Sequence, residues 1–260
     1  MSTKWLDYLH FIRKQEIEIS FSSFNSKQFR YGLELGAGDG YQSSMLINYC
    51  RNLVCTELNS ERLKINNIKN IEYKICDAEI IDSYFDKNQF DLVFSSNMFE
   101  HLPNPQSALH GIKNILSKDG IVILIMPSPF WALCHLFLYY PVKILNYIKR
   151  KIFIKKDVVS LKKKINSSNN LKLKDTKKSS FLNLIQWPKP HGISDNHYKE
   201  FLYFKKKSWI EMFNVCGYEI INVKKGPITS GYGLNLNYLR CFLRSIGLTS
   251  EYIYYLKLDE

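Results

Sequence analysis

Three glycines stand at alternate positions, Gly36, Gly38 and Gly40, directly after the short apolar run from Tyr31 to Leu35. An apolar run, a glycine-rich break and a helix-compatible segment predict a strand, a tight turn and a helix. Glycine is needed in such a turn where the backbone adopts positive φ or where a ligand lies against the main chain. The stretch is therefore a candidate binding loop for a nucleotide-like cofactor.

The spacing of the glycines bears on whether the loop binds a dinucleotide or another nucleoside cofactor. A dinucleotide-binding loop has the pattern G-x-G-x-x-G, whereas here the third glycine comes one residue early and Tyr41 occupies the position of the last glycine. Glu57 lies 21 residues after Gly36, at the end of a predicted second strand, Asn52–Thr56. A carboxylate there can accept hydrogen bonds from a ribose diol. The pattern favours a nucleoside ligand and argues against NAD.

Strands and helices alternate around these residues. The predicted elements are a helix over Gln42–Cys50, a helix over Ser60–Asn67, a strand over Ile71–Cys76 and a strand that begins at Phe90. Such alternation predicts an α/β fold of parallel strands with right-handed crossovers and helices on both faces. Ligands of these sheets bind beyond the carboxyl ends of the strands. The loops after the first four strands are therefore expected on one rim.

Three motifs in order resemble a known family. Glu34-x-Gly36-x-Gly38-x-Gly40 is similar to motif I of the class I S-adenosylmethionine-dependent methyltransferases. The segment Phe90–Pro105 resembles F-D-x-V-x-S-x-x-x-x-E-H-L-x-x-P of their ubiquinone-methyltransferase-like (type 11) branch. Leu116–Gly120 corresponds to the family's L-K-P-G-G turn, although Lys118 and Asp119 replace the usual residues. The resemblance covers about residues 30 to 126.

The resemblance implies a Rossmann-like sheet of seven strands, mostly parallel with an antiparallel last strand, helices on both faces and an insertion after the fifth strand. The implied cofactor is S-adenosylmethionine, converted to S-adenosylhomocysteine. The glycine loop would lie against its methionine half, with Glu34 near the amino group, and Asp77 would meet the adenine amino group. The implied cofactor-binding residues are Glu34, Gly36, Ala37, Gly38, Gly40, Tyr41, Glu57, Leu58, Asp77, Ala78, Ser96 and Asn97.

We predict four segments along the chain. Residues 1–29 form an N-terminal lid or packing helix with a linker, 30–126 the cofactor-binding Rossmann-like core, 127–200 a basic insertion facing substrate or membrane, and 201–260 the C-terminal part of the fold. Within the last segment, the pattern predicts a helix over Tyr203–Cys216 capped by Gly217, with Trp209, Met212 and Phe213 on one face. A strand is predicted over Tyr218–Val223, and Tyr238–Leu243 is the predicted closing antiparallel strand.

The insertion begins with an apolar, aromatic run, Phe130–Tyr140, which is too short to cross a bilayer. With the lysines that follow, it predicts either a segment in the interface of an anionic membrane or a lid helix beside a solvated basic loop. Most of the net charge of +12 lies here, since residues 143 to 178 hold 13 Lys or Arg and two Asp. No RNA-binding motif accompanies them, so nucleic acid is not an expected partner. Lys162–Ser180 is expected to be mobile.

Cysteine spacing argues against a metal site. The six cysteines form no C-x-x-C pair, and no two histidines are four residues apart. The cysteine and histidine spacing predicts reduced thiols and no metal. Together with the absence of a secretory signal, it also predicts a cytoplasmic protein, with peripheral contact at the inner face of the membrane as the alternative.

Methyl transfer from a sulfonium is an in-line displacement, and a sugar hydroxyl must lose its proton as it attacks. Histidine is the usual base. His101 follows the fourth strand on the predicted rim, and His191 lies in a loop bounded by Pro190 and Gly192. These two are the candidate catalytic residues, although either could instead bond a backbone carbonyl. His10, His110, His135 and His197 are weaker candidates as bases.

The stretch from Trp187 to Gly192 and the elements after it resemble, more loosely, methyltransferases of bacterial surface-glycan biosynthesis. Trp187, His191 and His197 are the predicted substrate-binding residues. The predicted function is O-methylation of a sugar or glycan-precursor hydroxyl, on a nucleotide-linked or lipid-linked substrate. The alternatives are methylation of a small quinone-like or phosphate-bearing metabolite, and a non-catalytic basic module that binds membrane or nucleic acid.

Overall fold

A computed structural model describes residues 3–63, 67–165, 187–229, 232 and 236–259. The strands are β1 (Phe29–Leu35), β2 (Cys50–Glu57), β3 (Ile71–Ile75), β4 (Phe90–Ser96), β5 (Leu116–Pro127), β6 (Tyr218–Lys225) and β7 (Glu251–Leu258). The helices are α1 (Thr3–Ser20), α2 (Ser43–Leu46), α3 (Pro105–Ile115), α4 (Pro129–Ile165), α5 (His197–Tyr203), α6 (Lys206–Val215) and α7 (Asn237–Ser245). Short 3₁₀ turns follow β3 and β4 at Ala78–Ser83 and Phe99–His101.

The strands form one sheet in the order β3-β2-β1-β4-β5-β7-β6. Strands β1 to β5 pair in parallel, and β7 is antiparallel to both of its neighbours. The strand order reverses at β1, so the crevice beyond the carboxyl ends of β1 and β4 is the expected ligand site of such a sheet. The predicted fold, a mostly parallel Rossmann-like sheet, is confirmed.

Helices cover both faces of the sheet and bury an apolar core on each. On one face, Ile112 of α3 and Trp209 and Phe213 of α6 have no exposed surface. On the other face, Ile17 of α1 and Leu46 of α2 pack against the sheet. Burying each such side chain stabilises the fold by about 1.5–3 kcal/mol. Both faces of the central strands are therefore largely apolar, with few buried polar groups such as Glu34 of β1.

The closing strand lies further along the chain than predicted. Tyr238–Leu243, predicted as a strand, is part of helix α7, and the antiparallel strand is β7. The tyrosine and leucine residues of this segment favour a strand when only the local sequence is considered. In the structure Tyr238 and Phe242, which are four residues apart, both lie on the exposed side of a helix. Strand β7 lies between β5 and β6, so four successive residues, Ile253 to Leu256, are buried.

Several predicted boundaries also change. The predicted helix over Gln42–Cys50 is reduced to α2, because Cys50 already pairs with Phe29 in the sheet. The predicted helix over Ser60–Asn67 is a turn up to Arg62, and residues 64–66 lie outside the described residues. The predicted turn at Leu116–Gly120 is the start of β5.

The predicted helix over Tyr203–Cys216 divides into α5 and α6, because Lys205 between them has extended backbone angles. Gly217 after α6 has a φ of +80°, as expected of a glycine cap.

Helix α4 joins the apolar run and the basic stretch of the insertion in one element of 37 residues. Phe137 is 70% exposed, and Ile144 and Leu145 are also exposed. Among the described residues, no helix has the length and apolarity needed to cross a membrane. Of the segment predicted to be mobile, residues 162–165 end α4 and 166–180 lie outside the described residues.

Candidate functional site

The glycine loop turns sharply from β1 and is anchored on β2. Gly36, Gly38 and Gly40 have φ values of +75°, +57° and +75°, a region that L-residues with a side chain rarely adopt. The backbone N–H groups of Gly36 and Ala37 both donate to Thr56 O at 2.9 Å. The glycines are therefore required by the backbone conformation itself.

Two of these glycines face different surroundings. A Cβ at Gly36 would lie 2.8 Å from Met98 Cγ, so this glycine lets the loop pack on the turn after β4. A Cβ at Gly38 would meet no atom within 4 Å. Gly38 therefore borders open space, where a ligand can lie against the main chain.

Glu57 stands beside this open space at the end of β2. Its Oε2 accepts from Gly38 N–H at 3.0 Å, and its Oε1 accepts from Asn59 N–H at 3.2 Å. Each carboxylate oxygen can accept a second hydrogen bond, so Glu57 can fix the loop and still bind a ligand hydroxyl. The adjacent Leu58 is 66% exposed and offers an apolar surface.

Asp77 and Ala78 lie on the same rim at the end of β3. The backbone of Cys76 donates to Glu57 O at 3.2 Å, which places Asp77 directly beside the end of β2. Asp77 Oδ1 accepts from Glu79 N–H at 2.9 Å and caps the 3₁₀ turn that begins at Ala78. The loops after β1, β2 and β3 thus converge, as the sheet topology requires.

Glu34 lies beneath the loop and is 2% exposed. It accepts a hydrogen bond from the Ser43 hydroxyl of α2. Burial raises the pKa of Glu34 from 4.5 to about 7, although hydrogen bonds to its carboxylate oppose the shift. The carboxyl therefore supports the loop from below and changes charge near neutral pH.

Helix α1 lies against the outside of the glycine loop. The ring of His10 stacks on that of Tyr41 with centroids 3.8 Å apart and planes 2° apart. His10 Nε2 is also 3.0 Å from Asp39 Oδ2. Tyr41, predicted as a cofactor-binding residue, is thus in contact with the N-terminal helix.

A polar network under α1 includes residues that sequence reasoning missed. Arg13 donates to Glu16 Oε2 at 2.8 Å and to the Ser96 hydroxyl. Ser96 donates to the same Glu16 oxygen at 2.7 Å. Asn97, in a left-handed conformation with φ of +49°, is 3.2 Å from Ser96 Oγ and 3.4 Å from Glu251 Oε2. The predicted residues Ser96 and Asn97 therefore connect α1 with the start of β7.

A signal for part of this network was present in the sequence. Glu16 lies four residues after Ile12 and one before Ile17, on the apolar side of α1, and is 1% exposed. A charged residue on a buried helix face requires a partner. Glu251 carried no comparable signal, because β7 was not predicted.

Aromatic side chains form a second group beyond the turn after β4, which we call the histidine cluster: His101, His135, His191 and Trp131. The rings of His101 and His191 are 4.6 Å apart at 69°, and His191 is 4.5 Å from Trp131. His135 stacks on Trp131 at 5.2 Å. The structure thus brings together the two predicted catalytic histidines, which are 90 residues apart in the sequence.

The loop that carries His191 is docked on the turn after β4. Gly192 has a φ of +66°, and a Cβ there would lie 2.5 Å from Glu100 O. Ile193 N–H donates to that oxygen at 3.3 Å, and His191 N–H donates to Glu200 Oε1. Burial, with smaller effects from His101 and His135, lowers the pKa of His191 to about 4. The ring is neutral at pH 7 and is a weaker base than an ordinary histidine.

Glu100 is buried against the histidine cluster and is 1% exposed. Its Oε1 is 3.9 Å from His101 Nε2, and its Oε2 makes no hydrogen bond to any described residue. Burial raises the pKa of Glu100 to about 8 and lowers the pKa of His101. The sequence spacing predicted no metal site, but Glu100, His101 and His191 together offer three ligand atoms.

The other two predicted substrate residues lie on the outer side of this loop. His197 Nε2 is 2.8 Å from Pro188 O, and its Nδ1 is 3.4 Å from Glu200 Oε2. Trp187 is 61% exposed, with its ring 6.2 Å from that of His197. His197 holds the loop in place, and Trp187 presents an aromatic surface to solvent.

Comparison with known proteins agrees with this geometry. Residues 33–124 match the methyltransferase domain family, and no curated protein sequence matches the chain. A chain from the complex of the Haloferax volcanii Trm112 methyltransferase activator with a candidate methyltransferase is similar at a TM-score of 0.58, with 10% identity over 97% of this chain and 92% of that chain.

Two further solved structures are similar over nearly their whole length. A candidate S-adenosylmethionine-dependent methyltransferase from Listeria monocytogenes has a TM-score of 0.55 and 12% identity, over 95% of this chain and 98% of that chain. A methyltransferase from Thermotoga maritima, described as a possible histamine N-methyltransferase, has a TM-score of 0.54 and 13% identity, over 98% and 93%. Residues 33–124 therefore form a methyltransferase domain, and the whole chain shares its fold with these S-adenosylmethionine-dependent methyltransferases.

Replacing Gly38 by alanine is expected to weaken S-adenosylhomocysteine binding at least about tenfold, because the methyl group enters the open space beside the loop. The positive φ adds a stability cost of roughly 1–2 kcal/mol. Isothermal calorimetry and thermal unfolding measure the two effects. The control is Gly217→Ala, which also has a positive φ, of +80°, but precedes β6 at the opposite ends of the strands, where a Cβ would meet the end of the Lys113 side chain; this variant should lose stability alone. Equal affinities in the two variants would contradict this assignment of Gly38.

Stability is expected to fall as pH rises, in part through Glu34. Its folded-state pKa of about 7 lies above the ordinary 4.5, so its contribution is fully present below pH 4.5 and is lost as pH rises through about 7. Between pH 5.5 and 8 the cofactor-free protein should lose about 2 kcal/mol more than Glu34→Gln. Urea unfolding at the two pH values measures this difference. If the free energy of unfolding changes equally with pH in the unmodified protein and in Glu34→Gln, Glu34 is not the responsible group.

Proposed function

We propose that the protein transfers the methyl group of S-adenosylmethionine to a hydroxyl of a sugar or glycan precursor. One observation carries the proposal, namely the short path from the glycine loop to the histidine cluster. Gly36 packs on Met98, and His101 N–H donates to Met98 O at 2.9 Å. His101 in turn contacts His191. A cofactor bound on the glycine loop would therefore be separated from these imidazoles by only the short turn after β4.

The rim residues support a defined placement of the cofactor. Glu57 would accept hydrogen bonds from the ribose hydroxyls while it holds Gly38. Leu58 would cover one face of the adenine, and Asp77 would accept from the adenine amino group. The methionine part would lie along Gly38, where the structure leaves room beside the main chain.

Arg13 is our candidate for the carboxylate of the methionine part. Its guanidinium bonds Glu16 and Ser96 at the end of β4, beside the glycine loop. Burial acts to lower the pKa of Arg13, but the field of Glu16 and further acids outweighs it, and the pKa is raised. A guanidinium can bind a carboxylate through two parallel hydrogen bonds. In this placement α1 covers the methionine end of the site.

The reaction requires the acceptor oxygen to lie a few ångströms from the methyl carbon, on the side opposite sulfur. As the oxygen forms its bond to carbon, the sulfur–carbon bond breaks, its electron pair remains on sulfur, and the hydroxyl proton leaves to solvent. Positioning and exclusion of water supply several kcal/mol of the barrier. Helix α1, the start of α4 and the His191 loop would close the site on three sides, and the histidine cluster would face the acceptor.

Surfaces around the cluster support a sugar linked to a lipid. Trp187 is an exposed aromatic ring, of the kind that packs on the apolar face of a sugar. A groove of about 340 Å³ runs between α4 and α7 and is lined by Phe130, Phe137, Leu239 and Leu243. Its side chains are almost all apolar, as an acyl or prenyl chain requires. We propose that this groove accepts the lipid of the acceptor, near the membrane surface.

A screen of nucleotide-linked and lipid-linked sugars, with S-adenosylhomocysteine formation as the readout, tests this function. We expect turnover with at least one lipid-linked sugar and a product heavier by one methyl group. Transfer only to amines or to small quinone-like phenols would overturn the glycan proposal. Failure to bind S-adenosylmethionine at sub-millimolar concentration would overturn methyl transfer itself.

A further inference from the structure

A buried carboxylate and two imidazoles from separate parts of the chain meet in the histidine cluster. The ligand atoms of Glu100, His101 and His191 all lie within 4.8 Å of one another. In a tetrahedral zinc site the ligand atoms are about 3.4 Å apart, since each lies about 2.0–2.2 Å from the metal. The three side chains therefore need to approach by little more than about 1 Å to share one ion.

Glu100 provides the second, independent observation. Its side chain is 1% exposed, and its Oε2 makes no hydrogen bond to any described residue. A polar group buried in this way is ordinarily hydrogen-bonded, paired with a charge or bound to a metal. The oxygen nearest to His101 is 3.9 Å away, beyond hydrogen-bond distance. A cation between Glu100 and the two rings would satisfy the carboxylate.

The backbone fixes the ligands relative to one another. The turn at Gly192 touches Glu100 O, and Ile193 N–H donates to the same oxygen. Glu200 accepts the backbone N–H of His191. The backbone of His191 is therefore docked against that of Glu100, and the two ligands are already held close together.

The cluster is also accessible from one side. The His101 side chain is 46% exposed, whereas Glu100 is enclosed. An ion can reach the site past His101, and three protein ligands leave one position of a tetrahedral ion for a substrate. Imidazole ligands select ions such as Zn²⁺ over Mg²⁺ and Ca²⁺, which prefer oxygen.

We propose that Glu100, His101 and His191 bind one divalent metal ion of the zinc type, whose open position takes the acceptor hydroxyl. This catalytic role rests on the proposed O-methylation, whereas the binding of the ion does not. A hydroxyl bound to the ion loses its proton to solvent near neutral pH. The resulting alkoxide oxygen forms the bond to the methyl carbon, and the electron pair of the broken bond stays on sulfur. The histidines then act as ligands and need not accept a proton.

Titration of the chelator-treated full-length chain with Zn²⁺ and Co²⁺ tests the site. We expect one ion per chain with a Kd on the order of micromolar or below. The Co²⁺ spectrum should lack the thiolate charge-transfer band that binding by one of the free cysteines would give.

Glu100→Gln and His191→Ala should each weaken binding at least about tenfold. His110→Ala is the matched control, because His110 is an exposed residue of α3, and it should leave affinity unchanged.

Two results would overturn the metal site. One is no binding at ion concentrations of about 100 µM, and the other is unchanged affinity in both Glu100→Gln and His191→Ala. Thermal unfolding of each variant shows whether it is folded.

S-adenosylhomocysteine calorimetry on the same samples tests cofactor binding separately. Loss of cofactor binding would remove the proposed function and leave the metal result standing. Turnover that is lost on chelation and restored by Zn²⁺ supports the catalytic role, and turnover indifferent to chelation overturns it.

Discussion

Replacing Glu57 by alanine is expected to weaken S-adenosylhomocysteine binding by at least about 100-fold. Hydrogen bonds to a charged acceptor contribute about 1.5–3 kcal/mol each, and the carboxylate is placed to accept two from the ribose. The same change removes the acceptor of Gly38 N–H at 3.0 Å, so the loop loses its support as well. Isothermal calorimetry with the purified chain measures the affinity directly.

The matched control is Glu72→Ala. Glu72 is an exposed acid on neighbouring β3, and its partner in the sheet is Val54, three residues before Glu57. Glu72→Ala removes the same charge from the neighbouring strand without touching the rim, so the affinity of this variant should equal that of the unmodified protein. A similar loss in both variants would mean that net charge, and not the ribose contact, determines affinity.

Replacing His191 by alanine is expected to lower turnover of the identified acceptor by at least about 100-fold while cofactor affinity stays within a factor of about two. The ring contacts His101 and Trp131 in the centre of the histidine cluster, so its removal disrupts the side of the site where we propose that the acceptor binds. The glycine loop and Glu57, which would bind the cofactor, are unchanged. Steady-state kinetics and S-adenosylhomocysteine calorimetry provide the two readouts.

The control for this change is His110→Ala, because His110 is exposed on α3. Thermal unfolding should show that both variants are folded. Unchanged turnover in His191→Ala would remove His191 from the acceptor site, whereas loss of cofactor binding in that variant would indicate that the loop also supports the glycine turn.

The glycine loop and its place beside β2 were predictable because their determinants are local. The glycines at positions 36, 38 and 40 are required by positive φ values within one turn. Glu57 is placed by the length of a single strand-helix-strand unit. The order of the strands follows from the general handedness of such units. These rules act over about 30 residues or fewer, so one sequence is sufficient to apply them.

The histidine cluster was predictable only residue by residue. His101 and His191 were candidates separately, but nothing in their spacing shows that Gly192 packs on Glu100 O and brings the rings together. Arg13 and Glu251 were missed for the same reason, since their shared network joins the two ends of the chain. The closing strand was misplaced because the burial of β7 on both faces depends on its neighbours β5 and β6.

The position of β7 has a consequence for how the protein is made. Residues 251–258 pair on one side with β5 and on the other with β6, so β5 lacks its second neighbour and β6 its only neighbour until these residues have been synthesised. Unpaired apolar strand edges are sites of association between chains. During translation, β5 would therefore expose an open edge while more than 120 residues are still being added. We therefore expect this half of the sheet to complete its folding only after β7 has been synthesised.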